Sequence, residues 1–202
     1  MLKIGAEARN DSTPIGLWLD ERFPERPPLL PEAGPERERL LEMDSEVTRH
    51  LIPLSFRLLI AFGEPVGVRF RNRKLGARAV DQTTPGGYRL RWLHPFMVSR
   101  IGFLRRQIEA TDLNRPNGAL LDDAAASIVA KLEGGAFMAG RDQPSLPDLS
   151  AFAVLSLPYL AGYVGADGIK RHPALMDWFA RVRADLPPDA VVRADLAERR
   201  WP

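Results

Sequence analysis

Pro144-Ser145-Leu146-Pro147-Asp148-Leu149-Ser150-Ala151-Phe152-Ala153-Val154-Leu155-Ser156-Leu157 is the stretch on which the reading of this 202-residue chain turns. Ser145 and Asp148 stand as S-x-x-D directly before an apolar run, a capping box with its usual Glu shortened to Asp. In that device the serine hydroxyl takes the amide of residue 148 and the carboxylate reaches back to the amide of residue 145. Pro147 costs nothing in the first turn, where its missing N–H would have had no partner. Leu149, Phe152, Ala153, Ser156, Leu157 and Leu160 then follow at helical spacing, and Ala151, Val154 and Leu155 between them are apolar as well. A helix apolar nearly all round belongs inside a protein. Residues 149–166 carry no formal charge and touch the lower length limit of a membrane span. Ser150, Ser156, Pro158, Tyr159, Gly162, Tyr163 and Gly165 dilute the run, so a buried core helix is the expectation.

Composition sets the frame around that helix. Apolar content of 45% and charged content of 27% are those of an ordinary globular chain long enough for one large or two small cores. The sequence has no cysteine, which excludes disulfides, thiolate metal sites and a cysteine nucleophile. The first thirty residues show no basic-then-apolar leader, so the cytoplasm is the expected location.

Outward from the capped helix, two more segments fall into a pattern. Phe137-Met138-Ala139-Gly140 approaches the box, and His172-Pro173-Ala174-Leu175-Met176-Asp177-Trp178-Phe179-Ala180-Arg181-Val182 opens a later helix at a proline. Near the start, Asn10-Asp11-Ser12-Thr13-Pro14-Ile15-Gly16-Leu17-Trp18-Leu19-Asp20-Glu21-Arg22-Phe23-Pro24 reads as a capped helix with Ile15, Trp18 and Leu19 inward. In this order the three segments resemble cytosolic glutathione transferases: the end of the thioredoxin-like half, the capped central helix and the late helix of the helical domain. The Phe-Met-x-Gly approach is also similar to that of the membrane-associated prostaglandin E synthase type 2 group, whose N-terminal dithiol motif has no counterpart here.

The resemblance implies a mainly α fold, a helical bundle of the glutathione-transferase C-terminal type behind a remnant β-hairpin and helix. Its domains would be 1–24 (thioredoxin-like remnant), 25–35 (proline-rich linker), 36–186 (helical domain, with a basic insert at about 57–106) and 187–202 (polar tail). The resemblance further implies that glutathione is the substrate partner and that Asp11 and Ser12 hold its γ-glutamyl end. A helix N-terminus and a hydroxyl suit the α-carboxylate, and the acid suits the ammonium. The family's activating Tyr, Ser or Cys lies in the first strand–helix turn, which has no counterpart here, so the expectation is either a start placed too late at Met1 or a natural truncation of that half. A homodimer that covers the exposed hairpin edges is also expected.

Residues 57–106 depart from the resemblance. Arg57, Arg69, Arg71, Arg73, Lys74, Arg78, Arg89, Arg91, Arg100, Arg105 and Arg106 face only Glu64 and Asp81, a local charge of +9 in a chain of +2. Gly63, Pro65, Gly67, Pro85, Gly86 and Gly87 suggest that it is broken into short pieces. Phe70, Tyr88, Trp92 and Phe96 interleave with the cations, a pattern that suits an anionic lipid surface or an acidic partner, with nucleic acid the less expected choice. The bland alternative is a solvated basic flap paired with the acidic remainder.

Remaining chemistry-bearing residues are sparse. Leu40, Met43, Val47 and Leu51 predict an inward helical stripe, and Glu42, Glu46 and His50 line another face at i, i+4, i+8. Charges at that spacing are read as a solvated face, and no metal is expected. His172 before Pro173 reads as a helix cap, Asn114–Gly118 as a turn and Leu120–Leu132 as a helix closed by Gly134-Gly135. Two functional classes follow: a glutathione-dependent transferase acting on an electrophilic small molecule, or a non-catalytic helical module binding through 57–106.

Overall fold

A computed structural model of the protein describes residues 2–83 and 87–185; the tail expected from 187 lies outside them. It is mainly helical. A two-stranded antiparallel hairpin, β1 (Leu2–Ile4) and β2 (Glu7–Arg9), pairs Leu2 with Arg9 and Ile4 with Glu7. Eight helices follow: α1 (Ser12–Arg22), α2 (Pro35–Ile60), α3 (Val66–Thr83), α4 (His94–Met97), α5 (Gly102–Glu109), α6 (Asn117–Lys131), α7 (Leu146–Leu160) and α8 (Pro173–Ala184).

The capped segment forms α7, and eleven of its fifteen residues are buried. Its longest contact is with α2, whose Leu40, Met43, Val47, Leu51, Leu54 and Leu58 form the opposing stripe. α6 and α8 close the core with Leu121, Ala125, Ile128, Leu175, Trp178, Phe179 and Val182. Each fully buried Leu, Ile or Phe here contributes about 1.5–3 kcal/mol by leaving water. The buried side of α7 is Ala151, Phe152, Leu155, Ser156, Tyr159 and Leu160, whereas Ala153 and Leu157 of the expected stripe are exposed. The segment is apolar enough that periodicity alone does not choose its face. Packing against α2 chooses it. Pro158 ends the helix within one turn, as its missing donor dictates.

Two expectations about local structure are corrected. Residues 57–106 are a string of short pieces only in part: Arg57–Ile60 complete α2 and Val66–Thr83 form one 18-residue helix, whereas His94–Met97, Val98–Arg100 and the start of α5 are short. Gly67 lies in the first turn, where a glycine weakens little. Gly76 is there for contact, since a Cβ on it would stand 2.3 Å from Leu59 Cδ1 of α2. Asn114–Gly118 is not wholly a turn either, because α6 begins at Asn117, whose side chain is drawn into the interior.

The linker is pinned. Asp20 at the end of α1 accepts the amides of Leu29 (2.9 Å) and Leu30 (3.0 Å), and Leu29 O accepts the Leu146 amide at 3.1 Å. Leu30, Leu40 and Leu146 then form a small core of their own beneath α1. Among the described residues no helix is long and apolar enough to cross a membrane.

Candidate functional site

The start of α1 is the first candidate. Asp11 caps the helix with φ 73° and ψ 146°, a region that residues with a Cβ rarely adopt, and its Oδ1 accepts the Ser12 amide at 2.8 Å. Holding a non-glycine residue there costs about 1–3 kcal/mol. Both Asp11 and Ser12 are exposed and adjacent. One residue on, Thr13 donates its hydroxyl to Asp44 Oδ2 of α2 at 2.6 Å, while Asp44 Oδ1 is buried with no hydrogen-bond partner. Behind them Arg9 and Arg22 both lie against the Trp18 ring, their guanidinium carbons 5.2 Å and 5.8 Å from its centre. The hairpin is thereby fixed to α1. The arrangement offers a carboxylate and a hydroxyl at a helix start on one exposed edge, with the Ser12 amide already taken by Asp11 and no N–H on Pro14.

Ser145 and Asp148, expected as structural, are both fully buried. The reciprocal bonds of the capping box are formed. Asp148 does more than cap. Its Oδ2 accepts the Ser145 amide (3.0 Å) and hydroxyl (2.7 Å), and its Oδ1 accepts the Met138 amide (3.0 Å) and Trp178 Nε1 (2.8 Å). An ionised carboxylate has about four acceptor positions, and four donors fill them. One side chain thus ties the 137–140 approach, the α7 cap and α8 together. The 135–140 loop is held just as tightly, since a Cβ on Gly135 would come within 2.5 Å of the Gly140 backbone. The sequence shows the S-x-x-D pair but gives no sign that Trp178 completes it.

Arg57 was counted with the basic surface, and the structure corrects that. It is 1% exposed. Its Nε donates to Asn117 Oδ1 (2.7 Å), Nη1 to Thr111 Oγ1 (2.8 Å) and Asp112 O (2.7 Å), and Nη2 to Arg115 O. Asn117 in turn donates to Phe62 O and Glu64 Oε1. Arg57 therefore fastens the loop before α6 to the end of α2. Burial lowers its pKa, and the charges of Asp112 and Glu64 oppose that shift. Asn72 acts similarly at zero exposure, donating to Leu58 O and accepting the Val164 amide.

Much of the rest of the described part of 57–106 faces solvent with an unusual composition. Of the twelve exposed large apolar side chains among the described residues, nine lie in this segment, with Val66 at 71%, Trp92 at 69% and Phe96 at 59% exposure. Phe70 packs on Phe96 at 5.7 Å between ring centres. A broad groove of ≈ 750 Å³ along α3 is lined by Phe70, Arg71, Lys74, Arg78, Arg91 and Trp92, with Asp81 the one acid. Asp81 is engaged by the Tyr88 amide and by Arg91 (2.7 and 2.8 Å), which hold its carboxyl below the ordinary range. Nearby, His94 is buried against Tyr88, and desolvation holds its imidazole below its usual pKa.

The remaining candidates resolve into ion pairs. Glu42, Glu46 and His50 are all exposed, and Glu46 pairs with Lys131 at 2.9 Å, which lowers its pKa. Among the described residues no group of three or more His, Asp or Glu is placed to hold a metal ion. His172 occupies the cap position of α8 without a capping bond; its Nε2 lies 3.1 Å from Asp122, which Arg171 also holds at 2.7 Å. No described protein family, no curated protein and no solved structure matches this chain.

Proposed function

We propose that this chain is a glutathione-transferase-like protein: residues 1–24 close a thioredoxin-like half, 36–186 form its helical domain, and Asp11 with Ser12 holds the γ-glutamyl end of glutathione. The observation that carries this reading is the Asp11–Ser12 step. A capping residue kept in a costly backbone conformation, with exposed polar atoms on a helix start, is where strain signals binding rather than packing. The Asp148 node beneath α1 supports it, because it fixes the α7 cap to which the Leu29 carbonyl is bonded. Transfer of the thiol to an electrophile additionally needs the activating turn of the thioredoxin-like half, which these residues do not contain. A glutathione-affinity column with a thiol-conjugation assay tests the reading. Retention that Ser12→Ala and Asp11→Asn each weaken about tenfold, as for one lost charged or hydroxyl hydrogen bond, is the expected result. No retention together with no turnover contradicts it.

A second reading rests on the α3 groove, where aromatic side chains and cations share one open face. That combination favours an anionic lipid surface, with Trp92 and Phe96 at the headgroup level and the cations on phosphates. Sedimentation with vesicles of mixed neutral and anionic lipid is expected to carry the protein down, and Arg71→Glu with Lys74→Glu to release it. Arg73 is unsuited to this test because its Nη1 is engaged by Pro95 O at 3.2 Å. Binding that survives both reversals removes the second reading.

A further inference from the structure

On the other side of α3 lies a separate cavity of ≈ 530 Å³, between α3 and α5 and above the end of α2. Arg69 and Arg73, four residues apart on one face of α3, line it, with Arg105 and Glu109 of α5 opposite. Phe70, Lys74 and Arg78 look the other way, into the groove already described. The cavity floor is apolar and built from Ile60, Leu104 and Ile108, which pack with Val98 as a small core of their own. α3 and α5 both dock on α2 far more than on each other, which leaves the wedge open.

The charges around it do not balance. Glu109, the one acid in the wall, is taken by Arg105 at 2.8 Å, and Arg105 reaches into solvent at 76% exposure. Arg73 uses Nη1 on Pro95 O, but its Nε is buried with no hydrogen-bond partner among the described residues. Desolvation, with the like charge of Arg69 adding to it, pulls the Arg73 pKa down. Two like-charged guanidiniums lining one cavity, whose single acid is already paired with Arg105, form an unfavourable arrangement that one anion would relieve.

We propose that this cavity binds a small amphipathic anion, its carboxylate or phosphate head held by Arg73 and Arg69 with Arg105 at the rim, and its apolar body on Ile60, Leu104 and Ile108. The volume falls in the range of about 300–1,000 Å³ usual for small-molecule pockets. A planar guanidinium suits either head group. The apolar floor selects against a bare inorganic anion, and the guanidiniums select against a neutral alcohol. This inference is independent of the glutathione reading, whose residues lie at the start of α1.

The test is a titration of the full chain with decanoate, decyl phosphate, 1-decanol and inorganic phosphate, all below micelle formation, followed by the Arg73 Nε–Hε NMR signal. Saturable binding of decanoate, of decyl phosphate or of both, with a shift at Arg73, is expected, and whichever binds identifies the head group. Decanol and inorganic phosphate are expected to bind at least about tenfold more weakly. Arg69→Gln, which leaves Arg73 in place, is expected to weaken binding about tenfold, while Lys74→Gln on the opposite face changes it less than about twofold. The proposal is overturned if neither anion shifts Arg73, if decanol binds as well as they do, or if Lys74→Gln weakens binding as much as Arg69→Gln.

Discussion

Asp148 shows how much one side chain can carry when its donors come from three parts of the chain. A capping box by itself contributes about 1 kcal/mol. Here the same carboxylate also receives the Met138 amide and the Trp178 indole, so its removal disturbs a loop and a second helix together. Asp148→Asn puts an NH₂ group against donors and is expected to cost about 3 kcal/mol in denaturant unfolding. Trp178→Phe keeps the ring packing against Phe152 and Phe179 but removes one donor, for a loss of about 1–2 kcal/mol. The double variant should lose less than the sum, because both substitutions break the same bond. Strict additivity would show that Trp178 and Asp148 are energetically separate. The same residue-scale view separates Arg57 from its basic neighbours: it answers carbonyls and Asn117 inside the protein, and no tally of charge along the chain reveals that.

At the scale of elements, α2 and α3 approach closely at Gly76, whose absent Cβ leaves room for Leu59. Gly76→Ala gains up to about 1 kcal/mol of helix propensity. It must also push Leu59 aside, at about 1–3 kcal/mol. A net loss of stability, measured by thermal unfolding, is expected; a gain would mean that Leu59 moves away freely. These elements also show what a sequence can and cannot disclose. α7 and α8 were legible because periodicity, Pro at the first turn and the S-x-x-D box all report on local physics, and the inward stripe of α2 from its periodicity, although Pro35 read as linker is its first residue. The 18-residue length of α3 was not, since Gly67 looks like a break until its position in the first turn is known. The choice of face on α7 was hidden for the opposite reason: with apolar residues on every side, only the partner helix decides that Ala153 and Leu157 turn outward. Asp11 and Ser12 were legible as a cap, whereas the positive φ that sets them apart was not.

Across the whole molecule, polar side chains at the seams set the layout. Asp20 binds the linker, Asp44 binds α1 to α2, Asp148 binds α7 to α8, and Arg57 and Asn72 hold the loops around α3 and α6. The apolar core fills the space between these fasteners, while the basic segment leaves Phe70, Trp92 and Phe96 uncovered at its edge. Such a layout separates the three surfaces proposed to bind: the start of α1, the open groove on α3 and the cavity between α3 and α5. Glutathione binding at the start of α1 is tested by a titration with glutathione followed at the Ser12 amide by NMR. A saturable shift at Ser12 and its neighbours in α1, diminished by Asp11→Asn, is expected. A Ser12 amide that does not move, or shifts confined to the basic segment, would contradict it.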